Sequence, residues 1–146
     1  MEKQITETFY KAFQDSIESN IKSDKPDYVW LVKLYTEIRD RLCKYFKKDS
    51  KTYIQIQNSF DIELFKQMIE NDVFDSNSLI KVIDTTYYWI EKLQAPIRDE
   101  STKESKEKVL SITDPYKIIP CFIVECNTCL DLFDIDMHEY MSKINF

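Results

Sequence analysis

Three cysteines in the last third of the chain, Cys121, Cys126 and Cys129, have the C-x4-C-x2-C spacing of one iron–sulfur ligand set, with Cys43 as a conceivable fourth thiol. Metal ligands of this kind sit in tight turns that bring thiolates together. These three instead fall on an apolar helical pattern that spreads them around an axis. They read as small hydrophobes of a core, unpaired in a reducing compartment, and neither a metal nor another cofactor is expected. The single histidine, His138, stands between Met137 and Glu139, so Ser–His or Cys–His catalysis would rest on one residue without an oriented partner. The close carboxylates Asp134 and Asp136, and Asp99 and Glu100, read as helix caps and first-turn acids. Tyr87, Tyr88 and Trp89 would point in three directions on a helix, which suits packing better than ligand stacking. No residue is assigned a catalytic role, and the chain is expected not to be an enzyme.

Charge offers one further candidate. Arg39, Arg41, Lys44, Lys47, Lys48 and Lys51 are interleaved with Asp40 and Asp49. On one continuous helix Arg41, Lys44 and Lys48 share a face, which could meet phosphate, lipid headgroups or an acidic partner. A solvated helix end is the plainer reading of such a run. The net charge of −6 argues against nucleic acid as a partner of the whole chain. A structural or nucleic-acid-associated protein using that face is kept as the alternative to a protein-binding module. Glycine is absent, which excludes the glycine-dependent phosphate loops. Heavy use of Ile, Lys, Asn and Tyr fits an AT-rich genome such as those of parasites and large DNA viruses.

The elements that must position these residues are helical. At 146 residues the chain suits one domain, 1–146, and a domain of this size buries roughly 70% of the surface its unfolded chain exposes. Hydrophobic residues are 43% and charged residues 32%, values of a folded globular chain. The longest apolar run, 116–124, is broken by Lys117 and Pro120 and falls far short of the roughly 20 residues of a membrane span. MEKQITETFYKAF carries no signal-peptide apolar region, so an intracellular, cytoplasmic protein is expected.

The periodicities predict an all-α, single-domain bundle of six to eight helices, organised around a central helix over about 76–95. Ile5, Phe9, Phe13, Ile17 and Ile21 give a first helix one apolar stripe. Asp24 and Pro26 mark the start of a second helix, and a third, around 53–60, is assigned from its neighbours. Asp61 can cap a fourth, and Asp75 or Ser76 the central one, which Pro96 ends. RDESTKESKEK reads as a charged hinge, with Ser101 and Glu104 spaced as a capping box. Asp114-Pro115 opens the last long helix, which Pro120 should kink or delay. Asp136 and Glu139 suggest a bend near Ile135 and a separate short terminal helix.

IRDRL (38–42), DIELFKQMIENDVFD (61–75), LQAPIRDE (93–100) and LFDIDMHEY (132–140) resemble the T-complex protein eleven family in order and spacing, from about Ile38 onward. The A-P-x-R-D-E element at Ala95 to Glu100 is the most specific. The family commonly has glycine near the position of Asp72, and its chains continue beyond the position of Phe146, so this chain resembles a short, single-module relative matching the N-terminal part of the family domain. The resemblance implies an interaction or adaptor module linked to cyclic-AMP and protein kinase A signalling, with no catalytic residues to carry over. Two further expectations concern particular residues. Pro96 sets the exit of the central helix so that Arg98, beside Asp99, anchors it to carboxylates such as Asp61 or Glu63. Tyr140, Met141, Ile144 and Phe146 form an apolar terminal segment expected to meet a protein partner or a second copy of the chain.

Overall fold

The computed structural model describes residues 2–71 and 76–144, and those residues form seven α-helices with one 3-10 turn, Pro96–Arg98. In order they are α1 (Glu2–Lys22), α2 (Tyr28–Cys43), α3 (Lys51–Ser59), α4 (Ile62–Glu70), α5 (Ser76–Leu93), α6 (Asp99–Leu110) and α7 (Pro115–Ile144). The all-α bundle expected from periodicity is what the chain adopts. Asp75 and Phe146, read above as a cap and as part of the terminal segment, lie outside the described residues, as does Asp72.

Local chemistry sets the helix starts. Asp27, rather than Asp24, caps α2 by accepting from the Trp30 N–H at 3.0 Å, while Asn20 Oδ1 accepts from the Asp27 N–H at 2.9 Å. Ser50 caps α3 through the Tyr53 N–H, and Asp61 caps α4 through the Leu64 N–H at 2.9 Å. Each oxygen satisfies one of the orphan donors of a first turn. Asn71 ends α4 at φ −95°, so this stop needs no left-handed residue and no glycine. The supposed hinge is helix: α6 begins at Asp99, directly after the 3-10 turn. The Ser101 hydroxyl donates back to the Arg98 carbonyl at 3.0 Å instead of opening a capping box.

The centre of the bundle is α7, not α5. Ile118 to Val124 are seven consecutive buried residues, two turns enclosed on every side, and α7 packs against α1, α2, α5 and α6. By contrast α5 keeps an exposed side with Ile80, Asp84, Tyr88, Glu91 and Lys92. Pro120 is the sixth residue of α7, where it removes one ladder bond, and the helix runs through it unbroken. No separate terminal helix forms, because Asp134 and Asp136 are occupied by side chains from elsewhere in the chain, Arg41, Tyr45 and Arg98, rather than by backbone N–H groups. Tyr35 joins three elements of the core, stacking on Phe65 at 4.4 Å and leaning on Phe60 and Phe122. The Tyr87 and Ser105 hydroxyls meet at 2.7 Å inside it.

The first helix departs from its stripe. Ile17 is fully buried and Phe13 stacks on Trp30, but Ile5 and Phe9 are mostly exposed. Helices α1 and α7 run antiparallel, with Tyr10 against Asp131 and Ile21 near Tyr116. The first turns of α1 therefore lie beside the last turns of α7, where the bundle thins and every residue from His138 to Ile144 is exposed.

Candidate partner-binding groove and its supports

One guanidinium ties α2 to α7. Arg41, in the last turn of α2, donates from Nη1 to Asn127 Oδ1 at 2.9 Å and to the Asn127 carbonyl at 3.3 Å. Its Nη2 donates to Asp131 Oδ1 and Asp134 Oδ2, each at 2.8 Å. Asn127, Asp131 and Asp134 recur at i, i+4 and i+7, so they share one face of α7. The Tyr10 hydroxyl from α1 donates to the other oxygen of Asp131, and the Tyr45 hydroxyl donates to Asp134 Oδ1 at 2.7 Å. Burial pushes the Asp134 carboxyl up, but the Arg41 and Tyr45 hydrogen bonds outweigh it and hold the group below the usual carboxylate range. Tyr45 is pushed up to about 12 by burial and by Asp134. Arg41 stays a cation and both phenols stay protonated donors.

A second arginine braces the same helix one turn on. Arg98 donates from Nε to Asp136 Oδ2 at 3.0 Å and from Nη2 to Asp136 Oδ1 at 2.9 Å, a two-pronged bond that holds Asp136 below its usual range. Its partner is thus Asp136 and neither Asp61, which caps α4, nor Glu63. Asp99 accepts instead from Gln94 Nε2 at 3.0 Å, and Gln94 Oε1 accepts from Thr102 at 2.6 Å, closing the corner at Pro96.

Between α1 and α6, over one side of α7, these supports leave a groove of about 700 Å³. Its floor is Val124, Thr128, Leu132 and Ile135, spaced at helical intervals over about 16 Å. Thr6, Glu7, Tyr10, Lys11 and Gln14 of α1 wall one side. Lys108 of α6 stands on the other, paired with Glu125 at 3.2 Å. Ile135 is 52% exposed within it. Asp131 belongs to both the groove and the Arg41 cluster, so the Tyr10 bond fixes the α1 wall to the floor.

The residues singled out from sequence scatter. Arg41 points into α7, and Lys48 lies beyond the end of α2 at Cys43, so Arg41, Lys44 and Lys48 do not make one helical face. Tyr140, Met141 and Ile144 are exposed on the last turns of α7 and do not line the groove. His138 is exposed with its ring edge-on to Tyr45. All four cysteines are buried and unpaired. Burial raises Cys121 to about 11 and Cys126 well above its usual value, which disfavours the thiolate that nucleophilic or metal chemistry needs. The sequence carries only a weak signal for the groove, because Val124, Leu132 and Ile135 form a second stripe on α7, beside the dominant one of Phe122, Cys126, Leu130 and Phe133.

A family model described as T-complex protein 11 matches residues 1–144, so the likeness begins at the first residue and not near Ile38. The T-complex protein 11 homolog of Homo sapiens is 27% identical over 119 residues, which cover 79% of this chain and 22% of that protein. This chain therefore spans about a fifth of the length of that relative. No solved structure matches the chain. Arg41, Arg98, Asp134 and Asp136 all fall in the segments that carried the resemblance, and they bind one another in pairs across the fold.

Proposed function

Because the chain belongs to the T-complex protein 11 family, we propose that it is a non-enzymatic helical interaction module whose groove between α1 and α6 receives an amphipathic helix of a protein partner. The observation that carries this reading is the groove itself: an apolar strip three turns long, walled by a helix on one side and a lysine–glutamate pair on the other. Helix-in-groove recognition uses such a strip, with anchors of the guest at i, i+3 or i+4 and i+7. The chemistry of the remaining groups supports a binding role over catalysis. The thiols are buried with raised pKa values, and of the carboxylates lining the groove Asp131 is engaged by Arg41 and Tyr10 and Glu125 by Lys108. The signalling link implied by the family would place the partner among cyclic-AMP-responsive components.

The test compares proteins recovered from the native cell by wild type, by Leu132→Glu and Ile135→Glu in the groove, and by Tyr140→Glu outside it. A partner identified by mass spectrometry is then titrated by calorimetry. Anchor positions in a groove carry about 2 kcal/mol or more, so the groove variants should bind about 30-fold more weakly while Tyr140→Glu binds as wild type does. Equal binding by all four proteins, or loss with Tyr140→Glu alone, would overturn the groove reading. Light scattering separates the remaining case, a second copy of the chain as the guest.

A further inference from the structure

The segment joining α2 to α3 is strongly positive on an acidic molecule. Lys44, Lys47, Lys48 and Lys51 are all exposed, and among the described residues none of the four has an ion-pair partner. Asp49 is the one acid between Lys44 and Lys51, so this stretch contributes +3 to a chain of net −6 and leaves −9 on the rest. The neighbouring cations of the sequence run are already neutralised, Arg39 by Asp40 and Arg41 by Asp131 and Asp134.

The backbone under these lysines is fixed from both ends. Arg41 and Tyr45 tie the exit of α2 to α7, Ser50 caps the entry of α3, and Lys44 lies over the Tyr45 ring at 5.4 Å. Little ordering is left for a partner to impose, which lowers the cost of binding. None of the four lysines lines the groove, so this surface stands apart from the function proposed above.

We propose that the Lys44–Lys51 segment is a docking surface for an acidic segment of a protein partner, a short run of Asp and Glu side chains that meets the four ammonium groups. The charge balance selects this class. A membrane surface or a long nucleic acid extends past the patch and meets the −9 of the remaining surface, which repels it. A few carboxylates spanning only the segment gain the attraction without that opposition, because screening confines each charge to about 8 Å at physiological salt.

Fluorescence anisotropy with a labelled eight-residue Asp/Glu peptide tests this, with the matching Asn/Gln peptide as the uncharged comparison. Lys47→Glu/Lys48→Glu is set against Lys66→Glu/Lys117→Glu, which makes the same charge change at exposed lysines elsewhere. The acidic peptide should bind wild type and the Lys66/Lys117 variant alike. Binding should weaken at least tenfold in the Lys47/Lys48 variant and again on raising salt from about 50 to about 300 mM. Circular dichroism melts establish that both variants are folded. Three results would each overturn the proposal: no saturable binding by wild type, equal weakening in the two variants, or tighter binding of a single-stranded oligonucleotide or of phosphatidylserine vesicles than of the peptide.

Discussion

Replacing Arg41 by methionine removes the cation that joins α2 to α7 and leaves Asp131 and Asp134 on one helix face with no positive charge between them. The side chain is 24% exposed, between the regime of surface pairs, about 0–1 kcal/mol, and that of buried pairs broken on one side, about 3–5 kcal/mol. A loss of about 2–3 kcal/mol follows, or roughly 4–12 °C in melting temperature for a chain of this size. Arg41→Lys should recover only part of it, since one ammonium cannot reach Asn127, Asp131 and Asp134 together. The pH dependence supplies the sharper test. The folded-state pKa of Asp134 lies below its ordinary value of 3.8, so its contribution is present above that value and is lost as pH falls through the lower folded one. Urea midpoints followed by far-ultraviolet circular dichroism should therefore show the full gap between wild type and Arg41→Met at pH about 7 and still at about 5, closing only below about 4. Equal midpoints at neutral pH, or a gap unchanged into the acid range, would refute the claim that charge pairing and not shape alone gives Arg41 its role. The double variant with Asp134→Asn should be less destabilised than the separate losses add up to, because the two share one interaction.

Arg98→Lys should cost about 1 kcal/mol, because a lysine cannot copy the two-pronged bond to Asp136. Asp136→Asn should give a similar drop in melting temperature, and an unchanged melt in both would remove the brace. Ser105→Ala removes the hydroxyl that the buried Tyr87 oxygen meets and leaves it only the weaker Cys126 thiol, which should destabilise by about 1 kcal/mol, as chemical denaturation would read. Tyr87→Phe in that background should be close to neutral. The four thiols should react with a thiol reagent orders of magnitude more slowly in the native protein than in urea, given their burial and raised pKa values. Rapid labelling of Cys121 or Cys126 without denaturant would contradict the core placement.

Local signals were readable in the sequence where one residue and its own backbone decide the outcome. Asp61 caps α4 as its spacing indicates, α5 runs from Ser76 to Leu93 close to the expected 76–95, and the ambiguous 53–60 stretch is helix. Features that depend on a partner far along the chain were not. Asp134 and Asp136 resemble the first turn of a new helix until Arg41 and Arg98, 93 and 38 residues away, are seen to hold them in the middle of an old one. The centrality of α7 was hidden by Lys117 and Pro120, which break the apolar run in sequence while the helix passes through both. Ile5 and Phe9 keep a perfect four-residue spacing and stay exposed, because periodicity states which face is apolar and not whether a third helix covers it. The groove is the same limitation seen from the other side, a pair of walls that only tertiary packing brings to either edge of one floor.

The pairing of α1 with α7 also bears on the order in which this molecule can be assembled. Tyr10 and Asp131 are 121 residues apart, so α1 is synthesised well before the α7 that covers it. At ribosomal rates of about 5–20 residues per second, that interval is roughly 6–24 s, during which Phe13 and Ile17 have no α7 to cover them. Helices α2 to α6 can gather locally in the meantime, but the strip they close around is completed only when Ile118 to Val124 emerge. The nascent chain therefore passes through a stage with its own apolar helix unsheltered, and the arrival of α7 converts that exposed helix into a wall of the finished bundle.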